Sequence, residues 1–317
     1  MSKFLGILKL IINSTAGRGF TSCLMLFSSF FAVISAFPTL ESYIRLGRNR
    51  AMSSLLFGTA LSLVWGGPIG AICYLAIVGA ATIFVGELIN RGCSVPKIAL
   101  YSGLLALITV TTLGVYIKLH YLVNPLEFIA GKIDTTLTTI AANNYSDMLK
   151  NTLVETGLTQ KELSMLVAVK LPAIMIGGWI LFLFINVLFA SKFDYKTGSF
   201  FRSENLSKFK TSDFLIIPTI IFGALYAYSL TGYNNSKLLE VIASMMFITF
   251  MSIYFLQGIL IAFLFVKGIF SSGFWSTLFV LFIAVTGYMV VAGVGFFDTW
   301  FDFRKYFLNK DKKGEEL

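Results

Sequence analysis

The sequence has little charge, one histidine and three cysteines. Only 13% of its 317 residues are charged, whereas soluble domains contain about 25%. Because His120 is the one histidine in the sequence, a histidine-based metal cluster is excluded. The spacing of Cys23, Cys73 and Cys93 matches neither a metal site nor a disulfide framework. We therefore expect no metal site and no disulfide scaffold.

Known catalytic signatures are also missing from the sequence. The chain contains no Walker A sequence, no G-x-S-x-G elbow, no H-E-x-x-H motif and no cysteine cluster. No apolar segment carries the series of acidic residues that is typical of a proton pump. We therefore predict no catalytic residue and no cofactor, and we expect a protein that is not an enzyme.

Apolar residues, in contrast, are abundant. They make up 56% of the chain, and the mean hydropathy is +0.81. A soluble core of this length could not bury so much apolar surface, but a lipid bilayer can surround it. The net charge of +9 fits Lys and Arg side chains that flank membrane helices and face lipid headgroups. The composition predicts an all-α, polytopic transmembrane helix bundle in a cytoplasmic (inner) membrane.

The charged residues do not indicate a nucleic-acid partner. No basic stretch has the interleaved aromatic residues of an RNA- or DNA-binding surface. Membrane lipid is the partner that the composition predicts directly. Other membrane proteins, or a separate ATPase chain, are further candidate partners, because the chain encodes no ATPase of its own.

Long uncharged segments predict about eight membrane spans. A spanning helix needs about 20 mostly apolar residues. The uncharged stretch Ala51–Gly86 would form a helix of about 54 Å, and Gly66-Gly67-Pro68 interrupts it, so we divide it there. The predicted spans are residues 20–38, 51–66, 68–88, 98–118, 169–190, 213–231, 239–266 and 274–297.

The polar segment 119–164 between spans four and five has helical signals. Asn124-Pro125 resembles an N-cap followed by a first helical residue, and Thr159 and Glu162 have capping-box spacing. Apolar residues that recur on one helical face are Ile129, Ile133, Leu137 and Ile140. We expect short amphipathic helices on the membrane surface here. The whole chain, 1–317, is then a single membrane domain with a charged tail at 305–317.

The end of the last predicted span carries the most distinctive sequence. Asp298 and Asp302 are four residues apart, so they share a helical face, and Arg304 can reach either carboxylate. Trp300 has the position of a headgroup-depth aromatic residue. One interpretation is an interfacial anchor, and the other is a polar lock or ligand contact at one mouth of the bundle.

Polar side chains within spans five and seven are further candidate ligand residues. Asn186 and Gln257 lie inside apolar segments, and Tyr254 precedes Gln257 by three residues. An amide in lipid needs a partner, so we expect both amides to face the bundle interior. Interhelical hydrogen bonding and substrate contact are both open interpretations.

Several glycines have the spacing of close helix contacts. Small side chains allow the backbones of two membrane helices to approach each other. The candidate packing positions are Gly66, Gly70, Gly177, Gly178, Gly293 and Gly295. The same positions could line a cavity instead.

Two motifs resemble a known family. The ending from Gly295 to Arg304, GFFDTWFDFR, resembles the closing motif of YybS-like bacterial membrane proteins, and Tyr254–Leu260, YFLQGIL, looks like their penultimate-helix motif. The resemblance spans nearly the whole chain and implies a multi-pass membrane protein without an established activity. Its hydropathy layout is also similar to the S components of energy-coupling-factor transporters, although S components often have six helices.

Three functional hypotheses follow from the sequence. The first is a substrate-binding or transport-related component for a small solute, which predicts a sizeable polar-tipped cavity within the bundle. The second is a structural or assembly partner in a membrane complex. The third is a lipid-acting enzyme, for which Asp298, Asp302 and Arg304 form the candidate polar nucleus.

Overall fold

The described part of the chain is helical throughout. The computed structural model describes residues 14–28, 31–93, 95–142, 151, 153–155, 157–193, 210–231, 236–267, 279–280, 282–283 and 286–304. Its α-helices are α1 Thr15–Phe27, α2 Phe37–Leu46, α3 Arg48–Tyr74, α4 Gly86–Asn90, α5 Val95–Tyr121, α6 Pro125–Ala142, α7 Gln160–Phe193, α8 Ile216–Ser229, α9 Lys237–Lys267 and α10 Tyr288–Phe301. Two 3₁₀ turns and two π-helical segments complete these elements: Ala32–Ile34, Asp213–Leu215, Leu75–Gly79 and Ala81–Val85. The predicted all-α class is confirmed for these residues.

Within the described residues, four helical segments are long and apolar enough to cross a membrane. They are Arg48–Asn90, Lys97–Tyr121, Gln160–Val187 and Lys237–Val266, and the shorter apolar helices are Asp213–Ser229 and Tyr288–Phe301. The chain therefore has the helices of a multi-pass membrane protein. A count of eight spans stays a prediction.

The first predicted span, 20–38, is wrong as a single helix. Ser28 has an extended backbone at the end of α1, and Pro38 occupies the first turn of α2. The Ser22 hydroxyl donates to the carbonyl oxygen of Ser35 over 2.6 Å. In one continuous helix these residues would be about 20 Å apart. The chain turns back between α1 and α2, so it forms two short helices there.

The predicted interruption at Gly66-Gly67-Pro68 is confirmed. Gly67 has φ +63° and ψ −164°, a conformation that is available almost only to glycine. A Cβ atom on Gly58 would overlap the hydroxyl of Tyr74, whereas a straight helix would separate these residues by about 24 Å. The two halves of α3 therefore pack against each other as a helical hairpin.

The predicted helix starts in segment 119–164 are also confirmed. The Leu126 N–H donates to Asn124 Oδ1 over 3.0 Å at the start of α6. The Thr159 N–H donates to Glu162 Oε2 over 2.8 Å, which completes the capping box of α7. Because α7 begins at Gln160, the end of this segment belongs to a long apolar helix.

Parts of four predictions lie outside the described residues. These parts are residues 29–30 of the first predicted span, residues 143–150, 152 and 156 of the surface segment, residues 274–278, 281, 284 and 285 of the last predicted span, and the charged tail 305–317. Where the last span is described, α10 continues to Phe301, four residues beyond the predicted end.

Contacts within the chain divide it into two compact units. The first unit comprises Met1–Ser102, Ile180–Thr211 and Ile253–Leu317, and the second comprises Gly103–Trp179 and Ser212–Ser252. All seven candidate ligand or polar-lock residues belong to the first unit.

Candidate functional site

Two glycines bring α9 and α10 into backbone contact within the first unit. A Cβ atom on Gly258 would overlap the carbonyl oxygen of Val291, and one on Gly295 would overlap the carbonyl oxygen of Tyr254. Each glycine therefore faces the backbone of the other helix, as in close membrane-helix pairs. Gln257 directly precedes Gly258 on α9, and its side chain reaches Asp298 near the end of α10.

A buried four-residue network extends from this contact and consists of Thr211, Gln257, Asp298 and Arg304. Gln257 Nε2 donates to Asp298 Oδ2 over 2.7 Å, and Arg304 Nη2 lies 2.8 Å from the same oxygen. Gln257 Oε1 accepts from the Thr211 N–H over 2.8 Å and also from the Thr211 hydroxyl. None of the four residues is more than 3% exposed. The sequence-predicted Gln257, Asp298 and Arg304 thus meet at one place.

The network is electrically balanced at its centre. Arg304 supplies one positive charge to the one negative charge of Asp298, and a charge-assisted hydrogen bond of this length is among the stronger polar contacts in proteins. Asp298 Oδ1 is also buried, and it has no hydrogen-bond partner among the described residues. One acceptor atom at the centre of the network is therefore still available.

The other residues of the C-terminal motif lie around this network. The Tyr254 ring is fully buried and meets Phe296 edge-on, with 5.1 Å between the ring centroids. Trp300 is 52% exposed, as expected of an aromatic residue at headgroup depth. Asp302 caps α10 with a left-handed backbone, and its N–H donates to the carbonyl oxygen of Asp298.

Asn186 makes hydrogen bonds to residues other than those of the four-residue network. Its Nδ2 donates to the carbonyl oxygen of Val33 over 2.8 Å and to that of Phe182 over 2.7 Å. Its side chain therefore connects α7 to the 3₁₀ turn that follows α1. Asn186 Oδ1 is buried and has no hydrogen-bond partner within the described chain.

The predicted packing glycines divide into two groups. Added Cβ atoms would come within 2.8 to 3.1 Å of neighbouring atoms at Gly66, Gly70 and Gly177, and would overlap backbone at Gly295. At Gly178 and Gly293 an added Cβ would have no neighbour within 4 Å among the described residues, so a packing role for these two positions stays a prediction. Adjacent helix positions point about 100° apart, so Gly178 cannot share the contact face of Gly177.

A small cavity in the first unit is predominantly apolar. Its lining residues are Ile98, Ala99, Ser102, Ile180, Leu183, Phe184, Val187 and Leu256. The volume that the centre of a water-sized sphere can occupy is about 10 Å³, so the cavity has room for about one water molecule. Ser102 has the one polar side chain among these lining residues, and its hydroxyl has no hydrogen-bond partner among the described residues. This cavity is therefore smaller and more apolar than the sizeable polar-tipped cavity that the solute-binding hypothesis predicts. None of the predicted ligand residues lines this cavity, although Val187 and Leu256 are sequence neighbours of Asn186 and Gln257.

A second ionic cluster, buried at Arg18 and Glu41, lies in the N-terminal helices of the first unit. Arg18 Nη2 is 3.6 Å from Glu41 Oε1, and Arg45 Nη1 is 2.7 Å from the same oxygen. Burial lowers the pKa of Arg18, whereas the Glu41 carboxylate opposes this shift and the Arg45 charge reinforces it. We name Arg18, Glu41 and Arg45 the arginine cluster.

The second unit contains its own ion pair. Lys170 Nζ lies 2.6 Å from Glu240 Oε1 and donates to the Tyr226 hydroxyl over 3.0 Å. This lysine connects α7, α8 and α9, and both ionic side chains are about a quarter exposed. Its sequence position at the start of an apolar segment suggests only an interfacial charge, so its two partners are found only in the structure.

Four other residues of these sites are missed at the sequence level. Thr211 lies in a polar loop without periodicity, Arg18 precedes the first apolar stretch, and Glu41 directly follows that stretch. Gly258 directly follows Gln257, so small-residue spacing on α9 could have been a signal for it.

No group of three or more potential metal-ligating His, Cys, Asp or Glu side chains occurs in the described ranges.

The long apolar helices and their buried polar contacts define a multi-pass helical membrane protein. A family model described as "Predicted membrane protein (DUF2232)" matches residues 20–299, which is most of the chain. The chain therefore belongs to this family. Neither a curated protein nor a solved structure matches it significantly. The YybS-like resemblance and the similarity to S components stay predictions.

Proposed function

We propose that this protein is a substrate-binding, transport-related component of a cytoplasmic membrane. Its solute is a small organic molecule that carries hydrogen-bond donors, and Asp298 is the central acceptor. The observation that carries this proposal is the unused, fully buried Asp298 Oδ1 at the centre of the four-residue network. A buried acceptor without a partner destabilises the fold by about 1–3 kcal/mol, so a bound donor would stabilise the protein.

The donor preference follows from the atoms that remain available. Asp298 Oδ1 and Asn186 Oδ1 are both acceptors that lack partners among the described residues. Arg304 already neutralises Asp298, so a neutral donor suits this position better than an anion. Transport would need a separate energising chain, because the sequence encodes no ATPase motif.

The network would act as a lock in this proposal. Gln257 and Asp298 join α9 to α10, and Thr211 joins the segment before α8 to the same amide. The Asp298 side chain is fully buried. Solute access to Asp298 Oδ1 therefore requires α9 and α10 to separate or rotate, and breaking the network would accompany that movement.

The proposal can be tested by ligand-dependent thermal stability. The full chain, purified in mild detergent, is melted with a panel of water-soluble vitamins, nucleosides and amino acids. We expect at least one solute to raise the melting temperature of the wild type, because a ligand that binds only the folded state stabilises it. The same solute should produce little shift in Asp298→Asn.

Asp302→Asn is the matched control for this experiment. It removes the same charge one helical turn away, and asparagine tolerates the left-handed backbone at this cap. This control should retain the ligand-dependent shift. A panel without any stabilising solute, or an equal shift in the wild type and Asp298→Asn, would contradict the proposal.

The small cavity also favours a second candidate function. If these helices never open, the described packing suits a structural or assembly partner in a membrane complex better than a solute binder. Purification in mild detergent would then recover other membrane proteins in stoichiometric amounts. A monodisperse chain that binds a panel solute would reject this alternative.

The geometry gives less support to a lipid-acting enzyme. Asp298 is fully buried and paired with Arg304, so it does not present a free carboxylate at headgroup depth. The alternative predicts that Asp298→Asn together with Asp302→Asn abolishes activity in vivo. Retention of function in that double variant would remove it.

A further inference from the structure

The arginine cluster has more positive than negative charge. Glu41 Oε1 is the shared counter-charge of two guanidinium groups, at 3.6 Å from Arg18 and 2.7 Å from Arg45. The three side chains therefore carry a net charge of +1. Arg18 is only 5% exposed and Glu41 only 9%, so water screens little of the Arg18 charge, whereas the Arg45 charge is partly solvated.

Arg18 is the incompletely satisfied member of the cluster. Its 3.6 Å separation from Glu41 exceeds the roughly 2.7–2.9 Å of a charge-assisted hydrogen bond. Its Nε and Nη1 atoms are buried and have no hydrogen-bond partner among the described residues. A buried guanidinium with unused donors and a shared carboxylate is costly unless an anion completes it.

We propose that Arg18 and Arg45 form a binding site for a phosphate group, supplied by the headgroup of an anionic membrane lipid. The planar guanidinium fork matches the oxygens of a phosphate in a bidentate manner. Anionic lipids attract basic side chains close to membrane helices. This inference is independent of the solute proposed for the four-residue network.

The exposure of the cluster defines a route for the phosphate. The Arg45 side chain is 45% exposed, whereas the unused Arg18 donors are sealed. The phosphate therefore approaches past Arg45 and replaces Glu41 at Arg18, where the ion pair is the longer of the two. Glu41 and the phosphate compete for Arg18, so removal of the Glu41 charge should tighten phosphate binding.

Native mass spectrometry of the full chain in mild detergent tests this site. The protein is titrated separately with phosphatidylglycerol and phosphatidylcholine, and its melting temperature is measured with inorganic phosphate. Arg18→Gln should weaken phosphatidylglycerol binding about tenfold, and Glu41→Gln should strengthen it. Arg91→Gln is the matched control, because Arg91 is a 70% exposed arginine paired with Glu87, and it should bind as the wild type does.

The outcomes distinguish a lipid headgroup from free phosphate, and both from unspecific charge attraction. Binding of phosphatidylglycerol that depends on Arg18 supports the lipid site. Stabilisation by inorganic phosphate that is lost in Arg18→Gln supports the phosphate site and identifies free phosphate as its ligand. Equal losses in Arg18→Gln and Arg91→Gln overturn the proposal, because they indicate unspecific charge attraction. If Arg18→Gln does not fold, Glu41→Gln decides: tighter lipid binding supports the site, and unchanged or weaker binding overturns it.

Discussion

The Asp298 carboxylate is fully buried and depends on two donors from other parts of the chain. Gln257 approaches it from α9, and Arg304 follows α10 and reaches back to it. A buried ion pair adds little net stability compared with an apolar replacement, but removal of one partner leaves an uncompensated charge. The network therefore fixes the position of α10, because moving Asp298 away from Gln257 and Arg304 would leave a buried charge without its partners.

Arg304→Met tests the cost of an uncompensated buried charge. The substitution leaves the buried Asp298 without its cation, and we expect the free energy of unfolding to fall by about 3–5 kcal/mol. Thermal unfolding in detergent, followed by tryptophan fluorescence, measures the change. Adding Asp298→Asn in the same chain should recover part of the loss. Arg91→Met, which breaks the exposed pair with Glu87, should leave the melting temperature almost unchanged, because water and salt screen an exposed pair.

Gly295→Ala tests the backbone contact between α9 and α10. An added methyl group would overlap the Tyr254 carbonyl oxygen, so we expect a loss of about 1–3 kcal/mol from overpacking. Gly293→Ala is the matched control on the same helix, because its methyl group would meet no atom within 4 Å. Equal melting temperatures for the two variants would refute the close contact.

The candidate residues are partly predictable because polar groups are conspicuous in apolar sequence. Gln257 and Asp298 stand out for this reason, and the requirement for a buried partner predicts that they face the interior. Their pairing is not predictable, because it depends on the helix contact at Gly258 and Gly295. Thr211 is not predictable either, because a threonine in a polar loop has no distinguishing local signal.

At the scale of elements, two helical hairpins organise the N-terminal part of the described chain. One lies between α1 and α2 and the other within α3. The second is predictable, because Gly-Gly-Pro disrupts helical geometry. The first is not apparent from hydropathy, because the apolar run continues across the turn and its length suggests one span.

The hairpin within α3 predicts energetic coupling between Gly58 and Tyr74. Gly58→Ala should destabilise the protein, because its methyl group overlaps the Tyr74 hydroxyl. In a Tyr74→Leu background the same change should cost less, with a coupling energy of about 0.5–3 kcal/mol. Additive effects on unfolding free energy would instead indicate a straight helix, in which the two residues are about 24 Å apart.

At the scale of the whole molecule, the apolar composition requires a membrane. Among the described residues, four long apolar segments meet the length and hydropathy of spanning helices, and such surfaces would aggregate in water. We expect the protein to remain in the membrane pellet after alkaline carbonate extraction and to be released by detergent. Recovery of the dispersed chain in the aqueous fraction without detergent would contradict a membrane location.

Native mass spectrometry from lipid nanodiscs tests the central functional claim most directly, because it measures the mass of the chain together with any molecule that stays bound to it. We predict a small-molecule adduct on the wild type that Asp302→Asn keeps and Asp298→Asn loses. A wild-type chain that carries only lipid or a stoichiometric partner chain, with no small-molecule adduct, would contradict a solute-binding function for the four-residue network.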